Sequence, residues 1–273
     1  MAKNKWATVL LTRAFSWTNA EHMAELSRDA YLSPEEFKKI YPRAKFLYNE
    51  ETDTECYLWR PAKSHQPRII FRGTEANSFE DIKTDISVKH TESAGELGEV
   101  HLGFKTALDS VWKDIEKWLK PTDKDIFFTG HSLGAALATV AAVRINNHHV
   151  RLYTFGSPKC VDKNIVDNVS IGGHAWRFRN NNDIVTKVPP WGFKHLGKTM
   201  YFNANGDWVE HLTKWTFWMG WFRGTWDGLK NKSWDGFRDH SVNNYVYLVG
   251  MAKAKEEDEF HKEVESLEMD IKA

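Results

Sequence analysis

The stretch from Asp125 to Val143 constrains this chain more than any other. It opens on the apolar run Ile126-Phe127-Phe128, turns through Gly130-His131-Ser132-Leu133-Gly134, and continues into the small apolar residues that end at Val143. A G-x-S-x-G pattern arises by chance in roughly one chain in ten of this length, so the five residues alone say little. Their setting says more. A strand that turns so tightly into a helix leaves no room for side chains two residues either side of the serine, which accounts for Gly130 and Gly134. A serine in that position sits at a helix N-terminus, where backbone N–H groups and the helix dipole favour a negatively charged oxygen. The setting therefore predicts a nucleophile elbow with Ser132 as the nucleophile.

The rest of the chain alternates in the same manner. The spacing of Met23, Leu26, Ala30 and Tyr31 predicts a helix over 19–40. Short apolar or alternating runs predict strands at 45–49, 55–60, 68–71, 125–129, 150–155, 174–178 and 200–203. Phe104, Leu108, Val111, Trp112, Ile115 and Leu119 form one side of a helix over 103–120, stopped by Pro121, and a helix of small residues follows the elbow over 133–147. Strands alternating with helices predict an α/β chain with a mostly parallel central sheet and helices on both faces; with the elbow, this is the α/β-hydrolase fold. No internal repeat or low-complexity linker divides residues 1–251, which read as one domain with a Trp-rich insertion at about 212–235. Residues 252–273 read as a charged C-terminal helix, docked by the stripe Phe260, Val264, Leu267 and Ile271 or presenting that stripe to a partner.

Composition removes several function classes. Lys plus Arg and Asp plus Glu both total 37, and no basic run tracks a phosphate backbone, so nucleic acid is not an expected partner. Two distant cysteines, Cys56 and Cys160, make no disulfide framework and no metal-ligand pair. The chain carries no H-E-x-x-H, P-loop or G-x-G-x-x-G pattern, and neither a metal nor a cofactor is expected. Arg13 interrupts the apolar run Trp6 to Leu11 before it reaches signal-peptide length. The expectation is a cytoplasmic protein by default, with export by a non-classical route left open. Oligomeric state is not legible.

A serine hydroxyl needs a base, and the base needs a carboxylate to orient it. In α/β-hydrolases the chain order is Ser, then Asp or Glu, then His. Asp183 suits the carboxylate, since it closes a polar turn, Asn180-Asn181-Asn182, after a strand. For the base, His148 or His149, His174, His195, His211 and His240 all lie downstream of the serine.

A resemblance narrows these choices. Ile69-Ile70-Phe71-Arg72-Gly73-Thr74, Val100-His101-Leu102-Gly103-Phe104, Thr129 to Ala135 and Tyr153-Thr154-Phe155-Gly156-Ser157-Pro158 resemble, in order, segments of the fungal-type, class 3 lipases. So do Asn182-Asp183-Ile184-Val185 with Val188-Pro189-Pro190, then His195-Leu196-Gly197, then Asp239-His240 ahead of Tyr245. The resemblance runs from about Tyr31 to Tyr245. It implies a triad of Ser132, Asp183 and His240, with His211 the one competitor for the base. It also implies an oxyanion hole from the backbone N–H of Leu133 and from Thr74. His101 and His131 become hydrogen-bonding residues around the site, and His195 a structural one. The fungal enzymes carry disulfides and signal peptides, and neither pattern is present here.

Two segments bear on lipid contact. Phe79, Ile82 and Ile86 recur at helical spacing in the place where such lipases carry a lid, and would face an acyl pocket; a fixed surface helix is the alternative. Between Asp183 and His240 the chain concentrates tryptophan, including Trp218 and Trp221, rings suited to a lipid–water boundary or to a small core cap. The expected function is hydrolysis of a lipid carboxylic ester, acylglycerol or phospholipid, through an acyl-enzyme on Ser132. A short-chain soluble carboxylesterase is the alternative, and a non-catalytic binding protein of the same fold the more distant one. The expected partners are the lipid or ester substrate and, peripherally, a lipid interface.

Overall fold

The computed structural model describes residues 6, 9, 11–62, 65–74, 91–94, 97–120, 122–209 and 238–272, with no account of side chains beyond 265. Ten strands are present among them: β1 (Lys45–Asn49), β2 (Thr54–Trp59), β3 (Arg68–Phe71), β4 (Thr91–Ser93), β5 (Glu99–His101), β6 (Ile126–His131), β7 (Val150–Phe155), β8 (Ala175–Asn180), β9 (Lys198–Phe202) and β10 (Trp208–Val209). Eight of them form one sheet in the order β1-β2-β3-β6-β7-β8-β9-β10, while β4 and β5 form a separate hairpin. Pairing is parallel from β3 through β9 and antiparallel at both edges. The fold is the α/β-hydrolase fold expected from the strand–helix alternation.

Period-two alternation along each strand divides the core into two faces. Ile69, Phe71, Phe128, Leu152 and Ala175 meet α3 (Leu102–Leu119) and α4 (Leu133–Ile145). Ile70, Phe127, Tyr153, Phe155, Trp176, Phe178, Met200 and Phe202 meet α1 (Trp17–Asp29) and the start of α6 (Val242–Lys272). Two shorter helices, α2 (Pro34–Ile40) and α5 (Lys163–Asn168), complete the set used here. Every residue of α4 from Leu133 to Val143 is buried, so only a helix of small side chains can lie this close to the strands.

Two segments depart from the sequence reading. The helix expected over 19–40 is two helices, because Ser33-Pro34-Glu35-Glu36 is a start signal within the periodic stretch. Ser33 and Glu36 form a capping box and Pro34 opens α2, where its missing N–H is no loss. The C-terminal helix begins ten residues before the charged tail, at Val242, and only its first turns enter the core through Tyr245, Leu248 and Val249. Beyond these the helix leaves the sheet, and the tail stripe is not docked where it is described: Phe260 and Val264 are exposed.

Candidate active site

Ser132 stands between β6 and α4 with φ 57° and ψ −128°, a conformation that a residue with a Cβ adopts only when its surroundings enforce it. Here the enforcement is explicit. The Ser132 amide donates to Phe155 O at 3.0 Å, and Ser132 O accepts from the Ala135 amide at 3.0 Å. A Cβ on Gly130 would lie 2.4 Å from Gly134 O, and one on Gly134 would lie 2.4 Å from Phe71 O. The two glycines of the motif are thus required by backbone atoms, which cannot move aside as a side chain could. Ser132 is buried, and its Oγ has no hydrogen-bond partner among the described residues.

Asp183 lies three residues beyond the C-terminal end of β8, which is the next strand but one from β6. Its side chain is fully buried and accepts hydrogen bonds from three directions. His240 Nδ1 donates to Oδ1 and Oδ2 at 3.1 and 3.0 Å, the Val185 amide donates to Oδ1 at 3.0 Å, and the Tyr245 hydroxyl donates to Oδ2. A carboxylate can only accept, so the proton of neutral His240 is on Nδ1 and Nε2 is the basic nitrogen. Burial, and then the charge of Asp183, hold the Tyr245 hydroxyl well above its usual range, so it remains a donor.

The histidine beside the serine has a different task. His131 Nε2 donates to the backbone carbonyl of His240 at 2.6 Å, and its Nδ1 accepts from the Tyr31 hydroxyl at 2.9 Å. The rings of His131 and His240 lie 4.5 Å apart, centroid to centroid. Burial, then the neighbouring His240, hold His131 well below the ordinary imidazole range. His131 therefore fastens the His240 turn to the elbow.

Asp239 completes the fastening on the other side. It accepts from Asn181 Nδ2 at 3.1 Å and from the Asn182 amide at 3.2 Å, and its carbonyl accepts from Asn180 Nδ2 at 2.9 Å. Gly156 closes the space between. Its φ is 61°, and a Cβ there would fall 2.9 Å from both Asp183 Oδ2 and His240 Nδ1.

The other histidines are placed elsewhere. His195 donates from Nε2 to Thr186 O at 2.8 Å, and burial followed by the charge of Arg177 holds it well below its usual range. His101 is buried against Phe104 and Phe193. His149 lies 3.7 Å from Asp125, which precedes β6, and the His148 ring packs tilted against His149 just ahead of β7, so both histidines lie at the opposite end of the sheet from Ser132. His174 precedes β8 at that same end.

Thr74 and Leu133 line a common cavity of about 530 Å³ beside the elbow, with His101, Gly103 and Phe104 along it. Phe79, Ile82, Ile86, Trp218 and Trp221, together with His211, lie outside the described residues.

The sequence reading did not identify the acceptor role of Asp239, the Tyr31–His131 bond or the Tyr245–Asp183 bond. Tyr245 did stand in the segment that resembled the class 3 lipases, which was its one visible signal.

The chain is similar to several known lipases. Residues 68–193 match the family described as lipase (class 3). The lipase of Rhizopus niveus is 32% identical over 179 residues, covering 59% of this chain and 45% of the relative. The secreted mono- and diacylglycerol lipase A of Penicillium cyclopium is 30% identical over 166 residues, covering 56% of this chain and 53% of the relative. The chain therefore matches about half the length of these relatives. Among solved structures, lipase II from Rhizopus niveus superposes with a TM-score of 0.58 at 27% identity, over 69% of this chain and 81% of that one. These names correct the expectation of a cytoplasmic location, since the Penicillium relative is called secreted. The physical reason is simple: an export leader is cleaved from a mature chain, so the lack of one in a sequence does not assign a compartment.

Proposed function

We propose that this chain, whose residues 68–193 match the class 3 lipase family, hydrolyses carboxylic esters of lipids through an acyl-enzyme on Ser132. The observation that carries the reading is the buried Asp183 carboxylate holding Nδ1 of His240, with His131, the residue next to Ser132, bonded to the His240 backbone. In this reading His240 Nε2 takes the proton from Ser132 Oγ as the oxygen attacks the ester carbonyl. Asp183 keeps the imidazole in the correct tautomer and stabilises the imidazolium that forms. The carbonyl oxygen becomes an alkoxide, met by the backbone N–H of Leu133 at the start of α4 and by Thr74 from the opposite loop, each donor contributing roughly 3–4 kcal/mol. Collapse expels the alcohol, protonated by His240, and a water molecule repeats the sequence to release the acid.

The substrates are acylglycerols or phospholipids, and the enzyme contacts a lipid surface peripherally. Trp191, 73% exposed on the loop after Asp183, supports such contact. The test is a panel of mono-, di- and triacylglycerols and phosphatidylcholine, assayed for released fatty acid with the parent protein and with Ser132→Ala. The expected loss in Ser132→Ala is on the order of a millionfold in kcat, to background. Ester hydrolysis retained by that variant would refute the assignment.

A further inference from the structure

The cavity beside the elbow has two unlike walls. One is apolar, built from Phe104 and Ala107 of α3 and from Leu133 and Leu137 of α4. The other is polar: Thr52, Asp53, Thr54 and Glu55 from the β1–β2 turn and the start of β2, with Arg72 at the end of β3. On that wall Arg72 Nη1 donates to Glu55 Oε2 at 2.9 Å, and the two side chains are only 20% and 21% exposed. Thr52 Oγ1 bonds Thr54 Oγ1 and Ser110 Oγ, each at 2.9 Å.

Position decides which part of an ester enters. The cavity is lined by Thr74 and by Leu133, the residue after Ser132, which are the proposed oxyanion donors, while Ser132, His240 and Asp183 themselves are not among its lining residues. The leaving alcohol must lie against His240, which protonates it, so a cavity on the oxyanion side receives the acyl group. A saturated chain reaching the Glu55–Arg72 pair would strip water from two charged groups and return no hydrogen bond. An oxygen on the chain would replace that water.

Resting on the proposed ester hydrolysis, we infer that this cavity is an acyl site selective for oxygenated acyl groups. The first carbons of such a group run along Leu133, Leu137, Phe104 and Ala107, and a hydroxyl further along the chain bonds the Glu55–Arg72 wall.

The test uses p-nitrophenyl esters in matched pairs, with and without a terminal hydroxyl, at six, eight and ten acyl carbons. The parent protein should favour the hydroxylated ester by about fivefold or more in kcat/KM at one of these lengths, the fold-change of a single net hydrogen bond. Glu55→Leu with Arg72→Leu should abolish or reverse that preference. Glu55→Gln, which retains an acceptor for Arg72, should lower it and keeps the test valid if the double variant does not fold. Equal or faster turnover of the plain ester at all three lengths by the parent protein would overturn the inference. Absence of any turnover that depends on Ser132 would instead overturn the function on which it rests, and the two failures are thereby distinct.

Discussion

Tyr245→Phe removes one oxygen atom from the buried hydrogen-bond node around Asp183. Tyr245 is fully buried; its hydroxyl donates to Asp183 Oδ2 and accepts from the Asn180 amide at 3.1 Å. Phenylalanine keeps the ring and its packing against Phe155, 6.1 Å away between centroids. The bond to an ionised carboxylate is worth roughly 1.5–3 kcal/mol, and the stranded Asn180 N–H costs roughly 1–3 kcal/mol more. Relief from burying the hydroxyl offsets part of this, leaving a net loss of about 3 kcal/mol. At about 2–4 °C per kcal/mol for a chain of this size, Tm should fall by about 6–12 °C.

Tyr57→Phe is the internal control. That ring is also buried, but its hydroxyl donates only to the neutral carbonyl of Leu32 at 3.1 Å, so about 1 kcal/mol and 2–4 °C are expected. Differential scanning calorimetry at one scan rate measures both. On the proposed mechanism kcat/KM of Tyr245→Phe on a soluble ester should also fall, by about tenfold, since Asp183 keeps its bonds to Val185 and His240. Asp183→Asn, which inverts the tautomer preference of His240, should cost about 10⁴-fold. A Tyr245→Phe melting shift no larger than that of Tyr57→Phe would refute the reasoning.

Four further outcomes are expected. Gly134→Ala would press a methyl group into Phe71 O and should leave the protein insoluble or lower Tm by about 6 °C or more, at about 3 kcal/mol or more, measured by thermal unfolding. Gly156→Ala should fold less stably and also lose activity, because its methyl group would displace His240. His131 and His195 are both held well below their ordinary values, chiefly by burial, so the folded protein binds fewer protons than the unfolded chain between the two sets of pKa values. Their contribution to stability is therefore complete above about pH 6.5 and is lost as pH falls below it, at up to about 1.4 kcal/mol per pH unit for each. Urea unfolding at pH 7, 6 and 5 should show this slope, reduced by about half in His131→Gln; an unchanged slope would refute the assignment. Burial pushes the Cys56 thiol far up and the Cys160 thiol up to about 12, so a thiol reagent should leave both unmodified until denaturant exposes them.

Much of this was legible before any coordinates. The β6–Ser132–α4 turn could be read from its glycines because its constraints act between residues four apart, Gly130 and Gly134. The faces of the strands could be read from their alternation, since a half-turn of backbone decides which side each residue meets. The break between α1 and α2 has a local signal, the capping box of Ser33 and Glu36 with Pro34 between them, which outweighs the helical spacing that predicts one helix over 19–40.

What sequence alone determined is the strand–Ser132–helix turn with its two glycines, because sterics within one tight turn admit few alternatives. The tertiary structure decided which carboxylate and imidazole meet. It joined Asp183 to His240 across 57 residues, Asp183 to Tyr245 across 62, and His131 to His240 across 109. Side chains so far apart along the chain have no local geometry in common. They come together only because parallel strands β6 and β8 end at the same edge of the sheet, and because α6 returns across that edge to bury Tyr245.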